Sequence, residues 1–481
     1  MSVPSSHAAK VGAASAATAR LTILAAALAA LASVAPARAA RRPVAAPVAP
    51  AAVPSAVTPE RLKVERATLP NGLTVLLHED HSVPTVAFWQ WYRVGSRDER
   101  PGITGISHFF EHMMFNGSKN VPPKAYDKIL ESNGGYSNAF TDVDMTAYYE
   151  EIASDRLGVV LRLDADRMAA LSLLPEQLKS EIDVVKEERR FRIDDDIHGL
   201  LDEQLWAAAF VASPVHWPVL GWMGDLDRIS RDDMVEYFRI HYAPDNCILA
   251  LVGDFDSRAA LDSIRAAFGA IPRQPPPPAP PIAEPEQDGE RRVDVRHAAE
   301  NVTFLVGYKA PAAASPDAPV IDVLRSILAD GESSRLHQAL VYESQIALDV
   351  SCTFASRLDP TLVEFSVEMK QDHGATEGLA ALDSVLARLA ADGPSERELT
   401  KARNQLEASF VRALETNNGV GQELAFYEHV FGDYRAMFTA LERDRAVSAA
   451  DCRRVAKTLF DARRRTVAVL VPEPADAEHR P

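Results

Sequence analysis

The segment His108-Phe109-Phe110-Glu111-His112 places two imidazoles and one carboxylate within five residues. On an α-helix, His108 and His112 lie one turn apart on the same face, with about 6 Å between their Cα atoms. That spacing lets both rings bind one Zn²⁺ at about 2.0–2.1 Å. Glu111 lies on the same side of the helix, where its carboxylate can take a proton from the water that attacks a substrate. The segment therefore predicts a hydrolytic zinc site.

The alternative interpretation is a solvated helix face that carries two surface histidines. The chain has 13 His and 68 Asp plus Glu among 481 residues, so chance gives roughly 0.05 occurrences of this pattern. Histidines in a mostly buried helix also need polar partners. The surface interpretation fits poorly because most other residues of the helix are apolar, namely Phe109, Phe110, Met113, Met114 and Phe115.

A catalytic zinc site needs a third protein ligand, and the best candidates lie in a helix predicted over residues 175–193. Glu181 and Glu188 are seven residues apart, which is two helical turns, so they share a face. Glu187 points elsewhere and fits a solvated flank. The alternative is an ordinary amphipathic surface helix, and only the two histidines favour a metal ligand here.

The composition is that of a globular protein with room for two domains. Hydrophobic residues make up 47% and charged residues 25% of the chain, which excludes a disordered protein. The net charge of −17 argues against nucleic acid or an anionic membrane as a partner. Cys247, Cys352 and Cys452 are too few for a disulfide framework, and nothing in the sequence selects a pair for the one disulfide that is possible.

The N-terminus has the pattern of a secretory signal peptide. Lys10 and Arg20 precede an apolar run over residues 21–35, which is too short to span a bilayer comfortably. Ala37-Arg38-Ala39 then forms a small-x-small cleavage site. We expect a signal peptide over residues 1–39, with an uncleaved anchor as the alternative. The mature protein would be periplasmic, or secreted, and free of the membrane.

A Pro-rich segment over residues 272–290 cannot form a helix or a central strand, so it predicts a linker. It follows a flexible tether (40–60) and an N-terminal domain (61–271), and it precedes a C-terminal domain (291–475) and a short tail (476–481). Both domains show strands first, helices next, and a late helix and strand. We infer an α+β fold of two homologous domains in tandem, each a mainly antiparallel sheet packed with helices, which together form a clamshell.

The predicted strands of the first domain include a hairpin over residues 66–80, one strand at 85–95, two strands at 136–140 and 145–152 around a turn at 141–144, and another at 246–252. Strands of the second domain are expected at residues 293–307, 348–356 and 361–369, with a last strand at the end of the domain. The remaining predicted elements are helices, and they cover residues 124–132, 155–171, 175–193, 231–241, 257–268, 317–329, 335–343, 376–391, 396–414 and 448–460.

His-x-x-Glu-His is the reversed, inverzincin order of the zinc peptidase signature. Together with "LPNGLTVLL", "GISHFFEHMMFNGSKN", "NGGYSNAFTDVDMTAYY" and "VVKEERR", it makes the sequence resemble the pitrilysin/insulinase family. The likeness is greatest to the mitochondrial-processing-peptidase-like branch of short bacterial members. It covers residues 62–475, and in the second domain it is mostly architectural.

The resemblance implies a zinc endopeptidase that cleaves extended or unfolded peptides inside a two-domain chamber, with one Zn²⁺ per chain. It implies that His108, His112 and Glu188 bind the ion, that Glu111 is the base and that Glu181 orients the site from outside. "SNAF" matches an edge strand that would hold the substrate backbone at Asn138 and Ala139. Without the family, Asn138 would be taken for a strand-end residue.

One departure from the family pattern concerns an Arg and, seven residues later, a Tyr that steady the substrate and the oxyanion. The matching positions are Tyr342 and Asp349. We therefore expect a heterodimer with a homologous metal-free subunit that supplies the pair, although a homodimer, a misaligned pair or a different electrophile is possible. The alternative function is a non-catalytic peptide-binding or assembly subunit. The sequence predicts no natural substrate or cleavage preference.

Overall fold

The computed structural model describes residues 62–275, 277 and 284–473. The predicted signal peptide (1–39), the tether (40–60) and the tail (476–481) lie outside the described residues, as does the middle of the Pro-rich linker. Among the described residues, no helix is both long enough and apolar enough to cross a membrane.

The first sheet has six strands in the order β1-β2-β6-β3-β5-β4, so β4 lies at its edge. All neighbours are antiparallel except β2 and β6. The predicted hairpin is confirmed, because β1 and β2 pair across the turn that contains Gly72. The strands are β1 Val64–Thr68, β2 Thr74–Glu79, β3 Thr85–Tyr92, β4 Tyr136–Thr141, β5 Thr146–Ala153 and β6 Cys247–Gly253.

Helices between and after these strands cover one face of the first sheet. Phe88 and Tyr148 of the sheet form a core there with Phe110 of the helix that carries the histidines. The helices of the first half, of which α5 packs elsewhere, are α1 Ile106–Met113, α2 Tyr126–Ser132, α3 Leu157–Ala170, α4 Pro175–Arg189, α5 Ile197–Ala209, α6 Met223–Leu226, α7 Arg231–His241 and α8 Ser257–Phe268.

The second sheet has five strands in the order β7-β11-β8-β10-β9, with only β7 and β11 parallel. Its elements are β7 Arg291–Ala298, β8 Thr303–Ala310, α9 Ala318–Ala329, β9 Ala347–Phe354, β10 Thr361–Met369, α10 Ala375–Asp392, α11 Glu396–Ala413, α12 Asn417–Phe431, α13 Ala436–Ala446, α14 Ala449–Leu459 and β11 Arg465–Glu473. The predicted fold class is confirmed: two mainly antiparallel sheets, each packed with helices.

A helix from each half of the chain packs on the sheet of the other half. In the first half, α5 packs on the second sheet, where Leu205 joins a buried cluster with Leu305 and Leu362. In the second half, α12 packs on the first sheet, where Trp89 donates its indole N–H to the Asn418 carbonyl at 3.1 Å. Gly421 permits this contact, since a Cβ there would lie 2.5 Å from the Trp89 ring.

The sequence pattern predicts no helix at the positions of α5, α12 and α13. A helix that is covered from more than one side buries several faces and lacks the single apolar stripe that periodicity detects. Both sheets therefore depend on helices that the chain contributes from its other half. The three cysteines are buried and free, which answers the question that composition left open.

Glu284, at the C-terminal side of the Pro-rich segment, connects the two halves. Its carboxylate accepts hydrogen bonds from the backbone N–H groups of residues 211–213 at 2.9–3.1 Å, and it pairs with Lys309 of β8 at 2.7 Å. Burial alone would raise the pKa of Glu284. The Lys309 ammonium and the three N–H groups outweigh burial and lower the pKa from 4.5 to about 2.

Replacing Glu284 by Gln should lower the free energy of unfolding at pH 7 by roughly 2 kcal/mol, because it removes charge-assisted hydrogen bonds. The carboxylate stabilises the fold above its ordinary pKa of 4.5, and this stabilisation is lost as the pH falls towards about 2. The difference between variant and wild type should therefore shrink over that pH range in urea unfolding. Glu286→Gln, at an exposed neighbour, is the control, and equal losses in the two variants would contradict this role.

Candidate metal centre

The first turn of α1 is held by a buried carboxylate. Gly105 precedes the helix with φ of 87°, and a Cβ there would lie 2.6 Å from the Leu220 carbonyl oxygen, so the position requires glycine. The two oxygens of Glu99 accept the N–H groups of Gly105 at 2.8 Å and Ser107 at 2.9 Å. These bonds satisfy donors that a helix N-terminus leaves unpaired.

His108 and His112 of α1 meet Glu188 of α4. Oε2 of Glu188 lies 3.1 Å from Nε2 of His112 and 3.6 Å from Nε2 of His108. Donor atoms bound at about 2.05 Å to a tetrahedral Zn²⁺ lie about 3.3 Å apart, and the two observed distances bracket that value. Among the described residues, these three side chains form the one group whose donor atoms could hold a metal ion. The donor set and its spacing fit zinc.

Glu181 lies two turns before Glu188 on the same face of α4, and it contacts the other ring nitrogen of His112. Its Oε1 accepts from Nδ1 of His112 at 2.9 Å, and its Oε2 accepts from the Asn116 amide at 2.7 Å. With Nδ1 protonated and bonded to a carboxylate, Nε2 is the nitrogen left for a metal ion. Glu181 therefore sets both the tautomer and the orientation of the ring.

The two imidazoles differ electrostatically. Burial lowers the pKa of His108 to about 3, so its ring is neutral, and its Nδ1 has no hydrogen-bond partner among the described residues. Burial opposes protonation of His112 as well, but hydrogen bonds to Glu181 and Glu188 outweigh it and raise the pKa to about 9. Because a metal ligand must be deprotonated, an ion at Nε2 of His112 would displace one proton.

Glu188 is held in the ionised form. The hydrogen bond from His112 outweighs burial and, with the charges of His108 and Arg192, lowers the pKa of Glu188 to about 2. Arg192 lies one turn further along and contacts the other carboxylate oxygen, Oε1, at 2.9 Å. Oε2 is thereby left to face the two imidazoles as an anionic donor.

Glu111 lies beside this group without joining it. Its Oε2 accepts a hydrogen bond from the Thr141 hydroxyl at 2.7 Å, and burial raises its pKa. The bond leaves Oε1 available for a water molecule. Sequence reasoning missed Thr141, although strand alternation could have found it, because Thr141 is two residues after Ala139 and shares its face.

A cleft of about 440 Å³ adjoins the group of donors. One wall is β4, the edge strand of the first sheet, where Asn138 and Ala139 line the cleft. The side-chain oxygen of Asn138 accepts the backbone N–H of Ala139 at 2.8 Å. All the lining residues come from the first half of the chain, and the others are Glu111, His112, Phe115, Asn116, Lys124, Asp127 and Glu181.

Tyr342 and Asp349 lie in the second half. Tyr342 is 70% exposed in a short π-helical turn, and Asp349 is exposed on β9, the edge strand of the second sheet. Neither residue lines the cleft. The described part of the chain thus brings together the donors, Glu111, Glu181 and the edge strand, but it brings no Arg or Tyr of the second half to them.

Two family models match the chain. The model described as "Insulinase (Peptidase family M16)" matches residues 74–221, and "Peptidase M16 inactive domain" matches residues 228–406. The zinc protease PqqE of Helicobacter pylori is 30% identical over 419 residues, which cover 85% of this chain and 93% of that protein.

Solved structures have the same fold. The crystal structure of a protease from Helicobacter pylori matches with a TM-score of 0.82 and 29% identity, over 85% of this chain and all of that one. The periplasmic protease PqqL of Escherichia coli matches with a TM-score of 0.71 and 18% identity, over 85% of this chain and 48% of that chain.

Replacing Glu188 by Gln should raise the dissociation constant of Zn²⁺ more than about 100-fold, because an anionic ligand is lost. Glu181→Gln should raise it about 10–100-fold, as expected for a partner that only orients a ligand. Glu187→Gln alters an exposed neighbour on the same helix and is the matched control. Competition with a chromophoric chelator measures all three constants. Equal constants for Glu188→Gln and Glu187→Gln would exclude Glu188 as a ligand.

Proposed function

We propose that this chain, which belongs to the insulinase family of peptidases (family M16), is a zinc-dependent endopeptidase. Family membership confirms the resemblance found in the sequence. The observation that carries the proposal is the convergence of His108, His112 and Glu188 on one point, with Glu111 beside them but outside the group. An ion held by three protein ligands keeps a position open for water or substrate.

The proposed substrates are extended or unfolded peptides. The edge strand β4 pairs only with β5 in the described sheet, so its other side can accept a further strand. A peptide added there would pass Ala139 and approach Glu111 across the cleft. A folded protein cannot present such a strand, so the geometry favours unstructured segments.

Zinc bound by the three donors would polarise the substrate carbonyl and lower the pKa of water. Glu111 takes a proton from the attacking water through Oε1 and later delivers it to the departing amine. Thr141 fixes the other oxygen of Glu111, which keeps the carboxylate aimed at the cleft. Glu181 holds the ring of His112 throughout, so the metal ligand does not rotate.

A second subunit is part of the proposal. The described lining of the cleft comes from the first half alone, which leaves room for a second chain to supply the opposite wall. The chain corresponds to 48% of PqqL, which is consistent with two chains of this size forming what one long chain forms there. We propose a homologous metal-free partner, with a homodimer as the alternative. The signal-peptide pattern and the periplasmic PqqL support a periplasmic location.

The second candidate function is a non-catalytic peptide-binding subunit. It is favoured by the match of the second half to a model described as an inactive domain. A peptide-binding subunit would not require a complete set of donors, a base held by Thr141 or a carboxylate that orients His112. Those three features of the first half support the peptidase.

Glu111→Gln should lower the rate of hydrolysis of an unstructured quenched-fluorescence peptide about 10²–10⁴-fold, because the base is lost. Zinc should stay bound, because Glu111 is not among the three donors. Glu131→Gln, an exposed residue of α2, is the control. Full turnover by Glu111→Gln would remove the base assignment. If the wild type binds zinc but cleaves no peptide, alone or with a homologous subunit, the binding-subunit function holds instead.

The partner's contribution can be tested by complementation within this chain. A triple variant, Tyr342→Arg, Asp349→Tyr and Glu111→Gln, carries the missing pair but no base. Mixed with the wild type, it should raise peptide hydrolysis about 10²-fold or more, because its pair can then serve the wild-type metal centre across a dimer. The triple variant alone should be inactive. If size-exclusion chromatography shows mixed dimers and the rate does not rise, the partner does not supply this pair.

A further inference from the structure

A second cavity of about 490 Å³ lies in the first half and shares no lining residue with the cleft at the metal centre. Three segments form its walls: the turn over residues 98–103, the loop over residues 212–217, and α7. We call it the α7 cavity. Glu99 is shared with the support of α1, but none of the lining residues has a role in the proposed peptide hydrolysis itself.

The walls of the α7 cavity offer mainly apolar and aromatic surface. Trp217 donates its indole N–H to the Ser96 carbonyl at 2.8 Å, and the hydroxyl of Tyr237 pairs with that of Ser107 at 2.8 Å. The polar atoms of both aromatic residues are thus already paired, so neither residue offers a free hydrogen-bonding group to the cavity. Ile103 and Ile240 extend the apolar part of the wall.

The cavity is lined by one cationic residue, Arg100, and by four carboxylates, those of Asp98, Glu99, Asp233 and Glu236. Arg100, the cation, pairs with Asp233 at 3.1 Å, and Glu236 pairs with Arg239 at 2.8 Å. Two carboxylates of the wall, those of Asp98 and Glu99, remain without a cationic partner in it. Both oxygens of Glu99 accept N–H groups at the start of α1.

Asp98 has one carboxylate oxygen that accepts no hydrogen bond from the described residues. Its Oδ2 accepts the Gly95 N–H at 3.0 Å, and among the described residues no donor is bonded to Oδ1. The guanidinium of the preceding residue, Arg97, is engaged with Asp359 at 2.6 Å. Burial raises the pKa of Asp98 to about 7 and that of Glu99 to about 8. A cation in the cavity would favour the ionised form of both groups.

His241 closes the end of the wall and supplies no positive charge. His241 is only 5% exposed, and its ring packs against that of Tyr237 with centroids 4.2 Å apart. Burial lowers the pKa of His241 to about 4, so the ring is neutral near pH 7. Its Nδ1 has no hydrogen-bond partner among the described residues, which is unusual for a buried polar atom.

We propose that the α7 cavity binds a small organic cation with an aromatic or branched aliphatic body. The ammonium group would pair with Oδ1 of Asp98, and the body would lie against the apolar and aromatic part of the wall, which includes Trp217 and Ile240. An anion would meet the carboxylate of Asp98, which is mostly ionised at pH 7.5 and has no cationic partner in the wall, and a neutral molecule would gain apolar contact only. Charge is therefore the property by which the cavity selects.

Three probes of similar size and different charge test this selection: the phenethylammonium ion, 2-phenylethanol and 3-phenylpropionate. Titration of the full chain at pH 7.5, followed by calorimetry and by ligand-observed NMR, should show the cation binding at least tenfold more tightly than the alcohol. The carboxylate should not bind. Equal affinity of cation and alcohol, or tighter binding of the carboxylate, would overturn the proposal.

Two variants locate the binding. Asp98→Asn keeps an acceptor for the Gly95 N–H and should weaken phenethylammonium binding at least tenfold while leaving 2-phenylethanol unchanged. Ile240→Trp fills the cavity and should abolish binding of both. Asp262→Asn, at an exposed residue of α8, is the control, and circular dichroism verifies that each variant is folded. Unchanged cation affinity in Asp98→Asn, or in folded Ile240→Trp, would overturn the proposal whether or not the protein cleaves peptides.

Discussion

The candidate metal centre depends on the contact between α1 and α4, where one imidazole lies between two carboxylates. His112 bonds Glu181 through Nδ1 and faces Glu188 through Nε2. Two turns of α4 separate these carboxylates, so one helix can contact both ring nitrogens of His112. The same contact brings Glu188 within 3.6 Å of His108. If the two helices shifted by one residue, the tautomer, the ring orientation and the donor spacing would all be lost together.

The rest of the fold keeps those two helices in place. The first turn of α1 is fixed by Gly105 and by the buried carboxylate of Glu99. Below α1, the sheet is covered on its other face by α12, a helix that the second half supplies. The first half returns a helix, α5, to the second sheet. Each half thus completes the core of the other, so the second half supports the sheet behind the centre although it contributes no lining residue to the cleft.

The motif helix and most strands of both sheets could be predicted from sequence, because local spacing determines them. The expectation that Glu188 is the third donor comes from the family resemblance. His108 with His112, and Glu181 with Glu188, share faces by helix geometry alone. Other features could not be predicted, since they arise from tertiary contacts. Helices α5 and α12 show no single apolar face because they are buried on several sides. The bond from Thr141 to Glu111 joins residues 30 apart in sequence; strand alternation places Thr141 on the same face as Ala139 but does not identify Glu111 as its partner.

The central claim is that two imidazoles and one carboxylate of this chain hold a zinc ion. Zinc K-edge X-ray absorption on the full chain, loaded with one equivalent of Zn²⁺, tests it most directly. The account predicts two histidine nitrogens at about 2.0–2.1 Å, oxygen in the remaining positions and no sulfur. Sulfur at about 2.3 Å, or a shell of oxygen atoms with no imidazole scattering, would contradict it.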